Sequence, residues 1–171
     1  MGEPMDIREL SIRTGLGERR LRYVIEYGIL PPLHGFRPGR GKAREFGSLE
    51  AFCIALAATL LEIGLRRGAA RDVMATALEF SKPGLSPGSV IVPVLQNAYG
   101  FAKRSVLEID EAKNVRIVST PRHLKTGKKT VQPMCMPWTQ PGTGARLPED
   151  HEPMAVIGVR IDKLAKQVRG V

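Results

Sequence analysis

The chain has 171 residues, of which 43% are hydrophobic and 25% charged, and it carries a net charge of +9. That length allows one or two small domains, with apolar content sufficient for a core. No run approaches the ~18 apolar residues of a membrane span, and the acidic, polar start MGEPMDIREL lacks secretory character, so a cytoplasmic protein with no membrane partner is expected. The charge is uneven. Residues 1–50 hold nine Lys/Arg against seven Asp/Glu, residues 51–80 three of each, and residues 81–171 fourteen against seven. Such an excess suits a polyanion, nucleic acid above all; a solubilising surface is the plainer reading.

The first element is Asp6 to Thr14, DIRELSIRT, with Ile7, Leu10 and Ser11 on one helical face and Asp6 placed to cap it. Gly15 can take the positive φ that ends this helix and redirects the chain. A second helix lies within Leu16–Leu30 and centres on 18–27. At ~100° per residue, Leu21, Val24, Ile25 and Gly28 face inward, Arg19, Tyr23 and Glu26 outward, and Arg20 and Arg22 flank them. Helix, glycine turn and basic helix form the helix-turn-helix pattern, whose second helix enters a DNA major groove. Residues 31–46, PPLHGFRPGRGKAREF, hold too much Pro and Gly for a helix. With Arg37, Arg40, Lys42 and Arg44, two strand-like arms around Gly39 and Gly41 would make a basic wing anchored by Phe46.

At this point the sequence resembles the MerR family of bacterial transcription regulators. The resemblance rests on Ile7-Arg8-Glu9-Leu10, Thr14-Gly15-Leu16, Arg19, Leu21-Arg22-Tyr23, Glu26-Tyr27-Gly28-Ile29-Leu30-Pro31, Arg44 and Phe46. It covers roughly the first 80 residues. It implies a winged helix-turn-helix, a homodimer on a near-palindromic operator, and distortion of promoter DNA to switch transcription. Arg19 and Tyr23 match positions that touch DNA in that family, and Arg44 matches the wing arginine. Two residues depart from the pattern: Val24 stands where relatives carry a second aromatic, and Gly17 replaces a Ser or Thr cap.

Ser48 is placed to cap a third helix reaching about Ile63, apolar on more than one face and so expected to be buried. A fourth runs from about Arg67 to Phe80. The long dimerisation helix typical of the family cannot follow, because Ser81-Lys82-Pro83-Gly84 and Ser86-Pro87-Gly88 break it. Residues 1–80 are therefore read as a DNA-binding domain, 81–88 as a linker, and 89–171 as a small α+β domain for dimerisation or effector sensing. The fold class is mainly α, with four helices and a wing before that smaller domain. Within it, a helix is expected over Pro93–Lys103, a hairpin over Val106–Asp110 and Val115–Ser119, a loop over Thr120–Pro153, a strand over Met154–Ile161, and a last helix capped by Asp162 and running through Val168.

Four groups carry the functional reading. Arg19, Arg20, Arg22 and Tyr23 with Arg37, Arg40, Lys42 and Arg44 are the expected DNA contacts, since the guanidinium fork suits phosphate and guanine edges. Arg122, Lys125, Lys128 and Lys129 form a second basic site for nucleic acid, or a solvated loop. Trp138, with Met134, Cys135 and Met136, would cover a pocket or a partner, or fold onto its own domain. Cys53 is read as a core residue, and Cys135 with the scattered His123 and His151 as no metal site. No nucleophile elbow, HExxH or dinucleotide fingerprint occurs, and His34, His123 and His151 lie in predicted loops without an evident acid partner. Neither an enzyme nor a cofactor is expected. Double-stranded DNA and a second copy are the expected partners; an effector stays unidentified. Two rivals remain: an architectural or excisionase-like DNA-bending protein, and an interaction module that keeps the fold without DNA.

Overall fold

The computed structural model describes residues 4–30, 44–79, 104–120, 134–135, 138–141, 143 and 145–170. Among these, five helices and a four-stranded antiparallel sheet make a mixed α+β protein with a helical N-terminal part. The contacts divide the chain into two units, Met1–Ala75 with Leu164–Val171, and Thr76–Lys163. The linker expected at 81–88 falls outside the described residues, as do residues 31–43 of the expected wing, the helix expected at 93–103 and the basic stretch 121–133.

In the first unit, α1 (Ile7–Thr14) and α2 (Glu18–Glu26) pack against α3 (Ser48–Glu62). Ala51 to Ala58 and Leu60 of α3 are all buried, so this helix has almost no solvent side. Four of its buried positions are small, Ala51, Ala55, Ala57 and Ala58. Cys53 lies in this core, and burial, followed by the nearby Glu50 charge, pushes its thiol up to about 12. It stays protonated and unreactive at neutral pH.

The helix cap differs from expectation. Gly47, not Ser48, is the N-cap of α3, and it makes no side-chain cap bond; Ser48 is already the first helical residue. The helix ends at Ile63, and Gly64 turns the chain at φ +95. Then α4 (Arg67–Glu79) buries Ala70, Val73 and Met74. The last segment, Leu164–Gly170, belongs to this unit too. Arg13 of α1 donates from Nη1 to the Val168 carbonyl at 2.9 Å and pairs with Glu9.

The second unit is the sheet, in the order β3-β2-β1-β4, with β1 (Arg104–Asp110), β2 (Val115–Thr120), β3 (Met134–Cys135) and β4 (Val156–Arg160). The hairpin forms as the alternation predicts, beginning two residues earlier. Leu107 pairs with Ile117 on one side and Val159 on the other; Leu107 and Val159 are buried. A Cβ on Gly158 would lie 3.0 Å from Val106 Cγ1, so β4 sits close to β1 there.

Two expectations are corrected here. The stretch Thr120–Pro153 is not wholly loop: β3 pairs with β2, and Thr139 bridges both Val115 and Arg146. Nor does Asp162 cap the last helix, α5 (Ile161–Arg169), which begins one residue before it. Its carboxylate instead takes both Nε and Nη2 of Arg160, at 2.8 and 2.6 Å. That chelate raises the Arg160 pKa further. Among the described residues no helix is long and apolar enough to cross a membrane.

Candidate nucleic-acid interface

The turn between α1 and α2 is fixed by short-range chemistry. Asp6 Oδ1 accepts from the Glu9 amide at 2.8 Å and so caps α1. Gly15, at φ +73, closes that helix with its amide on the Ser11 carbonyl at 2.8 Å. Ser11 Oγ then donates to the Leu16 carbonyl at 2.6 Å, tying the incoming residue back to the helix just left. Thus α2 leaves the turn in a set direction.

Within α2, Leu21 and Val24 are fully buried, while Arg19, Arg20, Arg22 and Tyr23 are exposed. The helix is capped by Gly17, which offers no side-chain cap but whose carbonyl accepts from the Arg20 and Leu21 amides at 2.9 and 3.2 Å. Arg22 lies 3.6 Å from Glu18 and Arg20 3.7 Å from Glu62, both loose surface pairs; no ion pair holds Arg19 among the described residues. Tyr23 is 37% exposed and stacks on Tyr27 at 4.3 Å between centroids. Arg67, at the start of α4, stands over the other ring, 5.7 Å from the Tyr27 centroid.

Beside these residues lies an open groove of about 740 Å³, lined among others by Gly17, Arg19, Arg20, Tyr23, Glu62 and Arg67. Three guanidiniums against one carboxylate make it an anion-favouring surface. Glu62 and Arg67 were not among the residues singled out from sequence. Their signal there was only a helix-glycine-helix junction, Glu62-Ile63-Gly64-Leu65-Arg66-Arg67, carrying two arginines.

Arg44 behaves differently. Arg44 donates from Nη2 to Glu50 at 2.9 Å and lies over the Phe46 ring, 5.2 Å from its centroid. Phe46 in turn exchanges both backbone hydrogen bonds with Met5, at 3.0 and 2.8 Å. Arg44 therefore fastens the end of the 31–46 segment to α3. Arg37, Arg40 and Lys42, and also Arg122, Lys125, Lys128 and Lys129, lie outside the described residues.

A second polar cluster sits in the sheet unit. Asp110 is buried at the hairpin turn and accepts from the Asn114 amide at 2.7 Å, from Asn114 Nδ2 at 2.8 Å, and pairs with His151 Nε2 at 2.9 Å. Burial pushes its carboxyl up, but the hydrogen bonds from Asn114 and His151 outweigh this and hold it below the ordinary value. His151 thus does have an acid partner, 41 residues away, that sequence reasoning did not find. Trp138 is buried edge-on to His151, with the Arg116 guanidinium 4.5 Å from its ring centroid and Glu108 holding Arg116 at 2.7 Å. Of the two sequence readings of the tryptophan, folding onto its own domain is the one observed. The His151–Asp110 contact fastens His151 to the hairpin turn.

No family model and no curated protein sequence matches this chain.

Proposed function

We propose that the protein is a DNA-binding transcription regulator whose α2 is the reading helix of an N-terminal, MerR-like winged helix-turn-helix. One observation carries the reading. A tightly closed α1-Gly15-α2 turn buries Leu21 and Val24 and leaves Arg19, Arg20, Arg22 and Tyr23 together on the exposed side. Three arginines on the exposed side of one helix suit the floor and walls of a major groove, with base edges in front and phosphates on either side. The groove flanked by Arg67 offers a further seat for backbone phosphate. In this reading the basic segment holding Arg37, Arg40 and Lys42 grips the flanking duplex, a homodimer reads a near-palindromic site, and the protein acts in the cytoplasm.

The test is affinity for the DNA upstream of its own gene against a scrambled duplex, across a salt series. Specific readout gives tight binding upstream that persists at moderate salt, and weak scrambled binding. Arg19→Ala should then weaken the specific complex about 10-fold or more, on the order of 1–3 kcal/mol, with no change in fold. Equal affinity for both duplexes, collapsing with salt, would favour the architectural protein instead. Absence of binding by the wild type would sink both DNA readings and favour the interaction module.

A further inference from the structure

The two edges of the sheet differ in sequence. At one end stands β3, Met134–Cys135, with Pro133 and Pro137 on either side of it in sequence. That is how a protein blunts an edge against unwanted pairing. At the other end β4 pairs with β1 alone among the described residues, and its one charged residue, Arg160, lies at the end of the strand and is engaged by Asp162. The run Met154-Ala155-Val156-Ile157-Gly158-Val159 has neither charge nor proline. Met154 is 93% exposed, Val156 43% and Ile157 42%. An edge this apolar, with a row of backbone donors and acceptors, is a template for another strand.

The start of this run is held from behind. The amides of Met154 and Ala155 both donate to the Glu111 carboxylate at 3.2 Å and fix the approach of β4 to the hairpin turn; Glu111's own amide first, and then these two, hold its pKa below the ordinary value. The edge is therefore presented by a fixed strand.

We infer that this edge is a homodimer interface: β4 pairs antiparallel with β4 of a second copy across a two-fold axis near Gly158, joining two four-stranded sheets into one. Three features select a second copy. An antiparallel strand centred on its middle residue is complementary to itself, which is the requirement of an isologous contact. The run is a neutral island in a chain of net charge +9, so copies that repel elsewhere can meet here. Its flanks are also opposite in sign. Glu149, Asp150 and Glu152 precede it, Lys163 and Lys166 follow it, and antiparallel pairing turns the acidic end of each copy towards the basic end of its mate. Asp162 does not disturb this match, being engaged by Arg160. The inference rests on the DNA reading only in that a two-fold operator needs a two-fold protein.

Sedimentation of the full chain tests it without DNA. The wild type should weigh as two chains of 18.7 kDa each. Val156→Lys with Ile157→Lys places charges on both faces of the edge at exposed positions, and should halve that mass while circular dichroism and Trp138 fluorescence stay unchanged. A wild type that remains a single chain at all concentrations, or a dimer indifferent to the double substitution, overturns the inference. If the variant loses its fold, hydrogen exchange of the wild type decides. Protection of the 156–160 amides that falls on dilution supports β4 pairing, and amides indifferent to dilution refute it. A monomer that still binds its operator removes this interface and leaves the DNA reading standing; a dimer that ignores DNA does the reverse.

Discussion

The helical unit and the sheet unit are held together by different chemistry. Around α3 nearly every contact is apolar: nine of its fifteen residues are buried, and its neighbours contribute Leu10, Leu21, Val24 and Phe46. The sheet has its own apolar strip in Leu107, Ile109, Val115 and Val159, but its turns and ends are fastened by charge. Asp110 gathers Asn114 and His151, Glu111 takes two amides, Arg116 links Glu108 to Trp138, and Arg160 clasps Asp162. One unit is thus sensitive to lost volume, the other to gained protons and lost partners. A charge-dense surface and a dry core can coexist in the first because Arg19, Arg20 and Arg22 are exposed on α2 while Leu21 and Val24 are buried.

The largest expected effect tests the apolar side of this contrast. Phe52→Ala opens a cavity in the fully buried centre of the helical unit and should cost about 3–5 kcal/mol. The helical signal in a denaturant titration should shift accordingly. Trp138, the single tryptophan, lies in the sheet unit and reports on that unit separately.

The polar side is tested at Asp110. Its folded pKa is lowered, so the stabilisation is present above the unfolded value, ~3.9, and is lost as pH falls through the folded value. Acid should therefore alter Trp138 emission below about pH 4. Asp110→Ala strands the Asn114 and His151 donors and should cost about 1–3 kcal/mol at neutral pH, abolishing most of that acid dependence. An unchanged acid profile in the variant would assign the transition to other carboxylates.

A smaller change returns to the helical unit without touching its core. Gly15→Ala forces a Cβ into a left-handed conformation, though nothing lies within 4 Å of it, so the penalty is backbone strain alone, about 1–2 kcal/mol. Differential denaturation should register it in helicity while Trp138 fluorescence is unaffected.

Sequence was informative wherever the deciding contact is short-range. Asp6 caps three residues ahead, Gly15 closes the helix it follows, and the β1–β2 hairpin turns within four residues, so each could be read from its own neighbourhood. It was misleading where two adjacent residues compete for one role. Gly47 and Ser48 both suit a cap, and the extended backbone at Gly47 took it. Asp162 was a plausible cap until Arg160, two residues back, claimed both its oxygens. Contacts that cross the chain left no local trace. His151 finds Asp110 from 41 residues away, and Arg13 finds the Val168 carbonyl from 155. For the interface, periodicity correctly separated Leu21 and Val24 from the exposed arginines of α2, but no periodic rule could bring Arg67 to the same groove.

The strand order also carries a consequence in time. Central β1 takes its first partner from the adjacent hairpin, yet its second, β4, pairs across a separation of 46 residues at Asp110–Val156 to 54 at Val106–Arg160. Closing so long a loop is slow compared with closing a hairpin. At a synthesis rate of ~5–20 residues per second, the ribosome needs about 3–10 s between making the two strands. For that interval the inner edge of β1 has no mate of its own. Crowded polysomes would then be the place where this protein is most prone to pair wrongly, and slowing translation across residues 111–155 would lengthen the exposure.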